Sequence, residues 1–132
     1  VFDRWSMVRV VDWEVTMSAG LTRENIARMD ALGTPKAKFV KKITATTRAF
    51  IKEHFKVDMM FAADGLAIAA ALAPEIIERK EERYLTIELK GEKTRGVTVV
   101  DWMGMSGKEP NAEIIMKVNQ IRFIEMIMDG LK

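Results

Sequence analysis

The sequence predicts an α/β fold with an antiparallel hairpin attached, because strand-like and helix-like stretches alternate along its 132 residues. Residues 7–16 are rich in β-branched side chains, and residues 34–55 carry apolar side chains at helical spacing. Two apolar segments flank the polar residues 90–96 and predict a hairpin. With 48% hydrophobic residues, a chain of this length can form the core of one domain.

The first half of the chain is expected to begin with a strand and to continue with two helices. Residues 7–16 predict a buried strand. Thr22 is the expected cap of a short helix that ends at Gly33. The next helix, over residues 34–55, has proline in the favoured first position. The stripe that makes this helix amphipathic consists of Phe39, Ile43, Thr47, Phe50 and Ile51.

The second half is expected to hold a helix of small residues, three strands and a terminal helix. The small-residue helix runs from Asp64 to about Ala73, and a turn follows from Pro74 through Ile77. Asn119 is the expected cap of the final helix. Three segments predict strands: 84–89, 97–102 and 112–118.

The composition argues against several classes of protein. The 21 basic and 19 acidic residues leave a net charge of +2, which gives no electrostatic argument for nucleic acid or an anionic membrane. The absence of cysteine removes disulfides, thiolate metal sites and cysteine nucleophiles. The longest apolar run, residues 66–73, is far shorter than the roughly 20 residues that cross a bilayer. We therefore expect a soluble, cytoplasmic chain that binds neither nucleic acid nor membrane.

Two motifs resemble the C-terminal part of a known enzyme family. The first, residues 61–69, places Asp64 at the opening of a small-residue helix, and the second, residues 91–102, is a Gly-Glu-x-Thr-Arg-Gly hairpin. Both are similar to segments of the inosine–uridine-preferring nucleoside hydrolase family. Residues 110–112 and the apolar stretch that follows them also resemble the strand and the terminal helix that close the family's fold. The resemblance implies the C-terminal portion of a Rossmann-like mixed sheet with flanking helices, and it is strongest over residues 59–132.

The aspartate cluster that family members carry near their N-terminus is missing from this chain. Its seven aspartates are scattered, and no two lie within four residues of each other. The first residue is Val1 rather than methionine. We therefore expect residues 1–132 to be a single C-terminal fragment or processed subunit, whose N-terminal half is absent or forms another polypeptide.

Asp64 is the residue that the resemblance assigns to metal binding. In the family, the corresponding aspartate gives a carboxylate to a calcium ion that binds the sugar hydroxyls and the attacking water. Calcium takes six to eight oxygens, so Ca²⁺ would be shared with residues not in this chain. Taken alone, Asp64 is an ordinary helix N-cap. Many family members place a histidine before this aspartate as the acid for the leaving base, but Ala63 stands here, and that route of protonation is lost.

His54, the only histidine, and three phenylalanines are the other candidates for the substrate site. The corresponding stretch of family members lies near the nucleobase, so the resemblance implies that His54 could protonate the base. Its charged neighbours fit a solvated histidine equally well. Phe50, Phe55 and Phe61 could stack on the base or pack in the core.

The remaining motifs favour structural roles. Arg95 is expected to tie the hairpin turn to Asp101 through its guanidinium donors. Residues 104–107 lack the lysine of a phosphate loop and are expected to form a flexible link. The ten methionines are concentrated near the C-terminus, where they could form an adaptable contact surface. The tryptophan rings are expected to be buried, namely Trp5, Trp13 and Trp102.

The resemblance therefore implies the C-terminal part of a calcium-dependent hydrolase that cleaves ribonucleosides to ribose and free base, active only when its N-terminal part is present. The alternative is a noncatalytic structural or binding protein with the same fold. The expected partners are a ribonucleoside substrate and either the N-terminal part as a separate chain or a second copy, because a fragment exposes apolar surface.

Overall fold

A computed structural model describes residues 7–132, and its central feature is a mixed three-stranded sheet. Strand β7 (Ala112–Val118) lies in the middle, parallel to β1 (Val8–Val10) and antiparallel to β4 (Ile77–Arg83). Two ribbons accompany it, formed by β2 (Leu21–Thr22) with β3 (Met59–Met60) and by β5 (Leu85–Ile87) with β6 (Thr98–Val100). The helices are α1 (Trp13–Ser18), α2 (Arg23–Ala31), α3 (Pro35–Phe55), α4 (Ala63–Leu72) and α5 (Gln120–Gly130). The predicted α/β class and the antiparallel hairpin are confirmed.

The helix caps read from the sequence are confirmed for three helices. Thr22 Oγ1 accepts from the backbone N–H of Asn25 at 3.3 Å and begins α2. Thr34 Oγ1 accepts from a backbone N–H of α3 at 3.1 Å, with proline in the first turn. Asn119 Oδ1 accepts from the backbone N–H of Arg122 at 3.0 Å and begins α5. Each cap satisfies a donor that the first helical turn leaves free, so local sequence decides these boundaries.

The prediction of one strand over residues 7–16 is wrong. The strand ends at Val10, and Asp12 caps a new helix by accepting from the backbone N–H of Val15 at 2.9 Å. Thr16 is drawn into the same turn, because its hydroxyl donates to the Asp12 carbonyl at 2.8 Å. The capping side chain therefore overrides the strand preference of the β-branched residues that follow it.

Strand β4 was not expected, because a turn was predicted to end at Ile77. A 3-10 turn does occupy Pro74–Ile76, but the next residues form a seven-residue edge strand that is mostly charged. Cross-strand ion pairs stabilise it against β7, including Lys117 Nζ to Glu78 Oε2 at 2.8 Å. Cross-strand ion pairs thus stabilise a strand whose sequence lacks the usual alternation of apolar and polar residues.

The face of α3 that packs inward differs from the predicted apolar stripe. Ile51 is buried as expected, but Phe39 is 61% exposed, Ile43 57% and Phe50 50%. Thr47 is exposed as well. The inward face is instead built of shorter side chains, with Ala37, Val40 and Thr44 alongside Ile51. The helix therefore leaves most of its large apolar residues on the protein surface.

The core lies on both faces of β7. On one face, Ile115 packs in a cluster with Leu66 of α4 and Phe123 of α5. On the other face, Ile114 packs with Leu85 of the hairpin. The Asn111 side chain fastens this hairpin, since its Oδ1 accepts from the backbone N–H of Leu85 at 2.8 Å and its Nδ2 donates to the Leu85 carbonyl at 2.9 Å.

Within residues 7–132, no helix combines the length and the apolar character needed to span a membrane.

Candidate functional site

Asp64 lies in the first turn of α4 but does not cap it. The helix begins at Ala63, and the cap position is Ala62, which supplies no side-chain hydrogen bond. The expectation of an ordinary N-cap is therefore wrong. The Asp64 side chain is exposed, and the described part of the chain gives it no hydrogen bond or ion pair. A carboxylate is favoured at this position by the free backbone amides of the first turn, and its oxygens remain available.

The start of α4 lies beside the carboxyl end of β1. Phe61, just before α4, meets the ring of Trp13 edge-on, with 5.5 Å between ring centroids and an interplanar angle of 64°. Trp13 is the first residue of α1, which directly follows β1. In open α/β sheets, ligands bind outside the carboxyl ends of the strands. Asp64 therefore lies on the side of the sheet where α/β proteins place their sites.

The described residues alone do not fit a calcium site. Residues 7–132 hold no group of three or more histidine, cysteine or acidic side chains close enough to bind a metal ion. Calcium needs six to eight oxygens, and Asp64 offers one carboxylate. Ala63, next to it, adds no polar side chain. The described residues can contribute a ligand to such a site but do not form the site by themselves.

The predicted substrate residues fall into two groups. His54 stacks on Phe50 with 4.1 Å between ring centroids, and Phe55 meets Phe50 edge-on at 6.4 Å. Phe50 and Phe55 are 50% and 53% exposed, so they do not pack in the core. Phe61 belongs instead to the contact with Trp13. None of the ring contacts or hydrogen bonds of residues 7–132 joins His54 to Phe61 or Asp64.

His54 itself is exposed at the C-terminal end of α3. Its Nδ1 lies 3.1 Å from the carbonyl oxygen of Phe50, one turn earlier in the helix. The opposite ring nitrogen, Nε2, therefore faces away from this backbone contact. The environment matches the solvated histidine that the sequence allowed, and it leaves one nitrogen free for a proton transfer.

A groove that the sequence did not indicate opens between β1 and the hairpin. It has a volume of about 590 Å³, and Trp13 and Trp102 line it together with the carboxylates of Asp12 and Glu14. Each tryptophan is 48% exposed, so the expectation that these rings are buried is wrong. Trp5 lies outside the described residues. The acidic and aromatic residues 12–14 could have indicated this groove, but they were assigned to the strand predicted over residues 7–16.

The predicted pairing of Arg95 with Asp101 is also wrong. The Asp101 carboxylate accepts from the backbone N–H groups of Met105 at 3.0 Å and Ser106 at 2.7 Å. Hydrogen bonds from Ser106 hold the pKa of Asp101 below its usual value. Residues 104–107 are therefore organised by Asp101, and Arg95 is exposed at the hairpin turn.

The buried carboxylate of Glu113 has a structural role. It is 7% exposed in the centre of the sheet, where Arg9 Nε donates to it at 2.5 Å and Lys80 Nζ donates to its other oxygen. The hydrogen bond from Lys80, followed by that from Arg9, lowers the pKa of Glu113. Arg9 also donates to the carbonyl of Ala70 in α4 at 3.3 Å. Glu113 thus links β1, β4 and, through Arg9, α4, and each of its carboxylate oxygens has a hydrogen-bond partner.

Comparisons with known proteins identify the family. The model of the inosine-uridine preferring nucleoside hydrolase family matches residues 1–125. A pyrimidine-specific ribonucleoside hydrolase, RihA, from Shigella flexneri serotype 5b (strain 8401) is 32% identical over 137 residues, covering 100% of this chain and 42% of the relative. RihA from Escherichia coli (strain K12) is 31% identical over the same shares. The chain thus spans less than half the length of these curated relatives.

Solved structures agree with the fold. An inosine-guanosine nucleoside hydrolase superimposes with a TM-score of 0.83 at 28% identity, over 94% of this chain and 38% of that protein. A purine-preferring ribonucleoside hydrolase from Gardnerella vaginalis gives a TM-score of 0.77 at 21% identity, over 94% of this chain and 39% of that protein. The chain belongs to the inosine-uridine preferring nucleoside hydrolase family and corresponds to a C-terminal part of its members.

Proposed function

We propose that this chain is the C-terminal part of a calcium-dependent nucleoside hydrolase that cleaves the N-glycosidic bond of ribonucleosides to give ribose and the free base. The observation that carries the proposal is Asp64, an exposed carboxylate without a partner among the described residues, at the start of a helix beside the carboxyl end of β1. Family membership supplies the reaction class.

Asp64 is proposed as one calcium ligand, and the other ligands are proposed to come from an N-terminal part that residues 1–132 do not contain. Its carboxylate is suited to this role because it needs no rearrangement to accept a cation. No catalytic step follows from this chain alone, since its described residues do not complete a metal site.

His54 is proposed as the group that protonates the leaving base. Ala63 cannot do so, and the free ring nitrogen of His54 is exposed to solvent. The imidazole of a histidine can donate a proton to a leaving group and is therefore suited to general acid catalysis. Phe50, Phe55 and Phe61 are proposed as apolar walls for the base, and the half-exposed rings of Phe50 and Phe55 favour this role over core packing.

The alternative function is a noncatalytic binding protein that keeps the fold. Two observations favour it: Ala63 stands next to Asp64, and the described residues have no group of three or more histidine, cysteine or acidic side chains that could hold a metal ion. The proposals differ in whether the complete protein hydrolyses nucleosides.

The test joins this chain to the N-terminal part of Escherichia coli RihA in one polypeptide and measures the release of ribose from uridine and inosine with calcium present. We expect Asp64→Asn to lower turnover more than about 100-fold. Mutation of residues that hydrogen-bond a metal ligand already lowers metal affinity or activity about 10–100-fold, and loss of the ligand itself should cost more. Asp129→Asn is the matched control, since Asp129 is exposed and its carboxylate pairs with Lys132 on the surface. His54→Ala tests the proposed acid and should lower turnover most for the poorer leaving base.

One result would reject the hydrolase proposal, namely a folded chimera with no turnover while RihA assembled in the same way is active. Equal activity of the Asp64→Asn and Asp129→Asn variants would reject only the role of Asp64 as a metal ligand. Unchanged turnover of His54→Ala would reject only the role of the histidine.

A further inference from the structure

The groove between β1 and the hairpin is built from an apolar floor and a polar, aromatic rim. Its volume of about 590 Å³ falls within the range of pockets that bind small molecules, roughly 300–1,000 Å³. The floor consists of apolar side chains from β1, β5 and β7, including Val10, Leu85 and Ile114. Leu85 and Ile114 are buried together on the face of β7 opposite to the one that packs against α4. The base of the groove is therefore part of the core.

The charged groups of this groove are all acidic. Asp12 and Glu14 line it, whereas no lysine or arginine does so within the described part of the chain. Asp12 uses Oδ1 to accept from the backbone N–H of Val15, and its other carboxylate oxygen has no partner among residues 7–132. Glu14 is exposed and takes part in none of the hydrogen bonds or ion pairs of the same residues. The groove is thus locally negative on a chain with a net charge of +2, so it favours a cation over an anion.

Two tryptophans complete the rim, and indole is the aromatic group that binds cations most strongly. Trp13 and Trp102 are each 48% exposed, so contact with a ligand would cover apolar surface that is in water. Trp13 is held by its edge-on contact with Phe61, which lowers the entropy that it loses on binding. The neighbouring groove already contains this type of contact, since Lys108 Nζ lies 4.6 Å from the centroid of the Tyr84 ring. Aromatic surface and negative charge therefore meet in one groove.

We propose that this groove binds a small organic cation of the alkylated ammonium class, with Trp13 and Trp102 against its alkyl groups and two carboxylates, Asp12 and Glu14, compensating its charge. Alkyl groups suit the apolar floor, whereas a primary ammonium is strongly hydrated and would lose its water there. A guanidinium prefers a carboxylate with both oxygens free, and Asp12 has one. The site needs neither calcium nor nucleoside hydrolysis, so it does not depend on the proposed function.

The experiment titrates this chain with choline, a quaternary ammonium alcohol, and follows the indole N–H signals of Trp13 and Trp102 by NMR. The reference probe is the uncharged alcohol in which carbon replaces the quaternary nitrogen of choline. Both probes have the same shape, so a difference between them measures the effect of the charge. We expect choline to shift both indole signals and to bind at least about 10-fold more tightly than the alcohol. Added salt should weaken the binding of choline.

Two variants test the two parts of the rim. Trp102→Leu keeps an apolar side chain but removes the aromatic ring, and it should weaken choline binding at least about 5-fold. Glu14→Gln removes one charge from the rim and should weaken choline binding at least about 3-fold, while leaving the affinity for the alcohol unchanged. Glu24→Gln is the matched control, because Glu24 is exposed in the first turn of α2, as Glu14 is in α1, and does not line the groove.

The outcomes distinguish a cation site from a merely apolar groove. Choline binding that weakens with Trp102→Leu and Glu14→Gln, but not with Glu24→Gln, supports the proposal. Equal affinity for choline and the uncharged alcohol would overturn it, and so would choline binding that leaves both indole signals in place or no saturable binding of choline. Tighter binding of methylguanidinium than of choline would reject the alkylated ammonium class. If Trp102→Leu lowers the melting temperature of the chain, Glu14→Gln decides, since the exposed Glu14 side chain makes no contact within residues 7–132 that folding requires.

Discussion

Glu113 shows how one residue holds three elements together. Its carboxylate lies in the middle strand and accepts from Arg9 on one neighbouring strand and Lys80 on the other. Removing one partner of a buried charge leaves the others uncompensated. Glu113→Gln should therefore destabilise the isolated chain by about 1–3 kcal/mol, reduced from the full cost because Arg9 and Lys80 are partly exposed. Urea unfolding at pH 7 measures this change.

The same carboxylate predicts a dependence of stability on pH. Its pKa is lowered in the folded chain, so the ionised form favours folding. The contribution is fully present above about pH 4.3, where an unfolded glutamate is ionised, and is lost as the pH falls through the lower pKa of the folded state. Glu113→Gln should flatten the acid limb of the stability profile. An equally steep acid limb in the variant would show that other carboxylates cause it.

Individual site residues were only partly predictable from sequence. Asp64 could be found because the small residues after it form a motif, but its position inside the helix rather than at the cap depends on where α4 begins. The exposure of Trp13 could not be predicted, since it follows from the end of β1 and the space left by the hairpin. Long-range packing decides such features, and no local pattern records it.

Among the elements, those whose ends carry their own signals were predicted well. Thr22, Thr34 and Asn119 act through backbone groups a few residues away, so the sequence alone identified them. Strand β4 was missed because its stability comes from pairing with β7, some 30 residues later. The orientation of α3 was also missed. Both sides of this helix carry apolar residues, so only packing against the rest of the chain decides which side is buried.

Helix α4 offers a test of local propensity against packing. Gly65 lies inside the helix, and an added Cβ would meet only the Cβ of Ala62 at 3.6 Å, an ordinary contact. Gly65→Ala should therefore stabilise the isolated chain by about 0.5–1 kcal/mol, because alanine loses less backbone freedom on folding. The rise in melting temperature measures this effect.

Gly20 supplies the opposite control. A Cβ there would lie 2.7 Å from the end of the Met59 side chain and 2.9 Å from the ring of Phe61. Gly20→Ala should destabilise the chain by about 1–3 kcal/mol, since the ring is held against Trp13 and cannot move freely.

A destabilising Gly65→Ala would mean that the interior of α4 tolerates less volume than its contacts indicate.

At the scale of the whole molecule, the open features lie next to one another. Within residues 7–132, a groove lies between the unpaired edge of β1 and the exposed side of α4, where Ala67 and Ala71 line it, and Asp64 lies in the first turn of the same helix. The sequence predicted that apolar surface would be exposed, but it could not place that surface, because the location depends on how β1, β7 and α4 come together.

Calcium should distinguish the isolated chain from the assembled protein. A ligand that binds only the folded state stabilises it by an amount that rises with the logarithm of the free ligand concentration, about 2.7 kcal/mol at 100 times Kd. Among residues 7–132, the proposed site offers the ion only the carboxylate of Asp64, so the melting temperature of the isolated chain should be the same in calcium and in a chelator. Joined to an N-terminal part that brings further oxygens, the protein should melt at a higher temperature with calcium, and Asp64→Asn should abolish the difference. A calcium-dependent rise in the isolated chain, lost on Asp64→Asn, would instead mean that two copies share the ion.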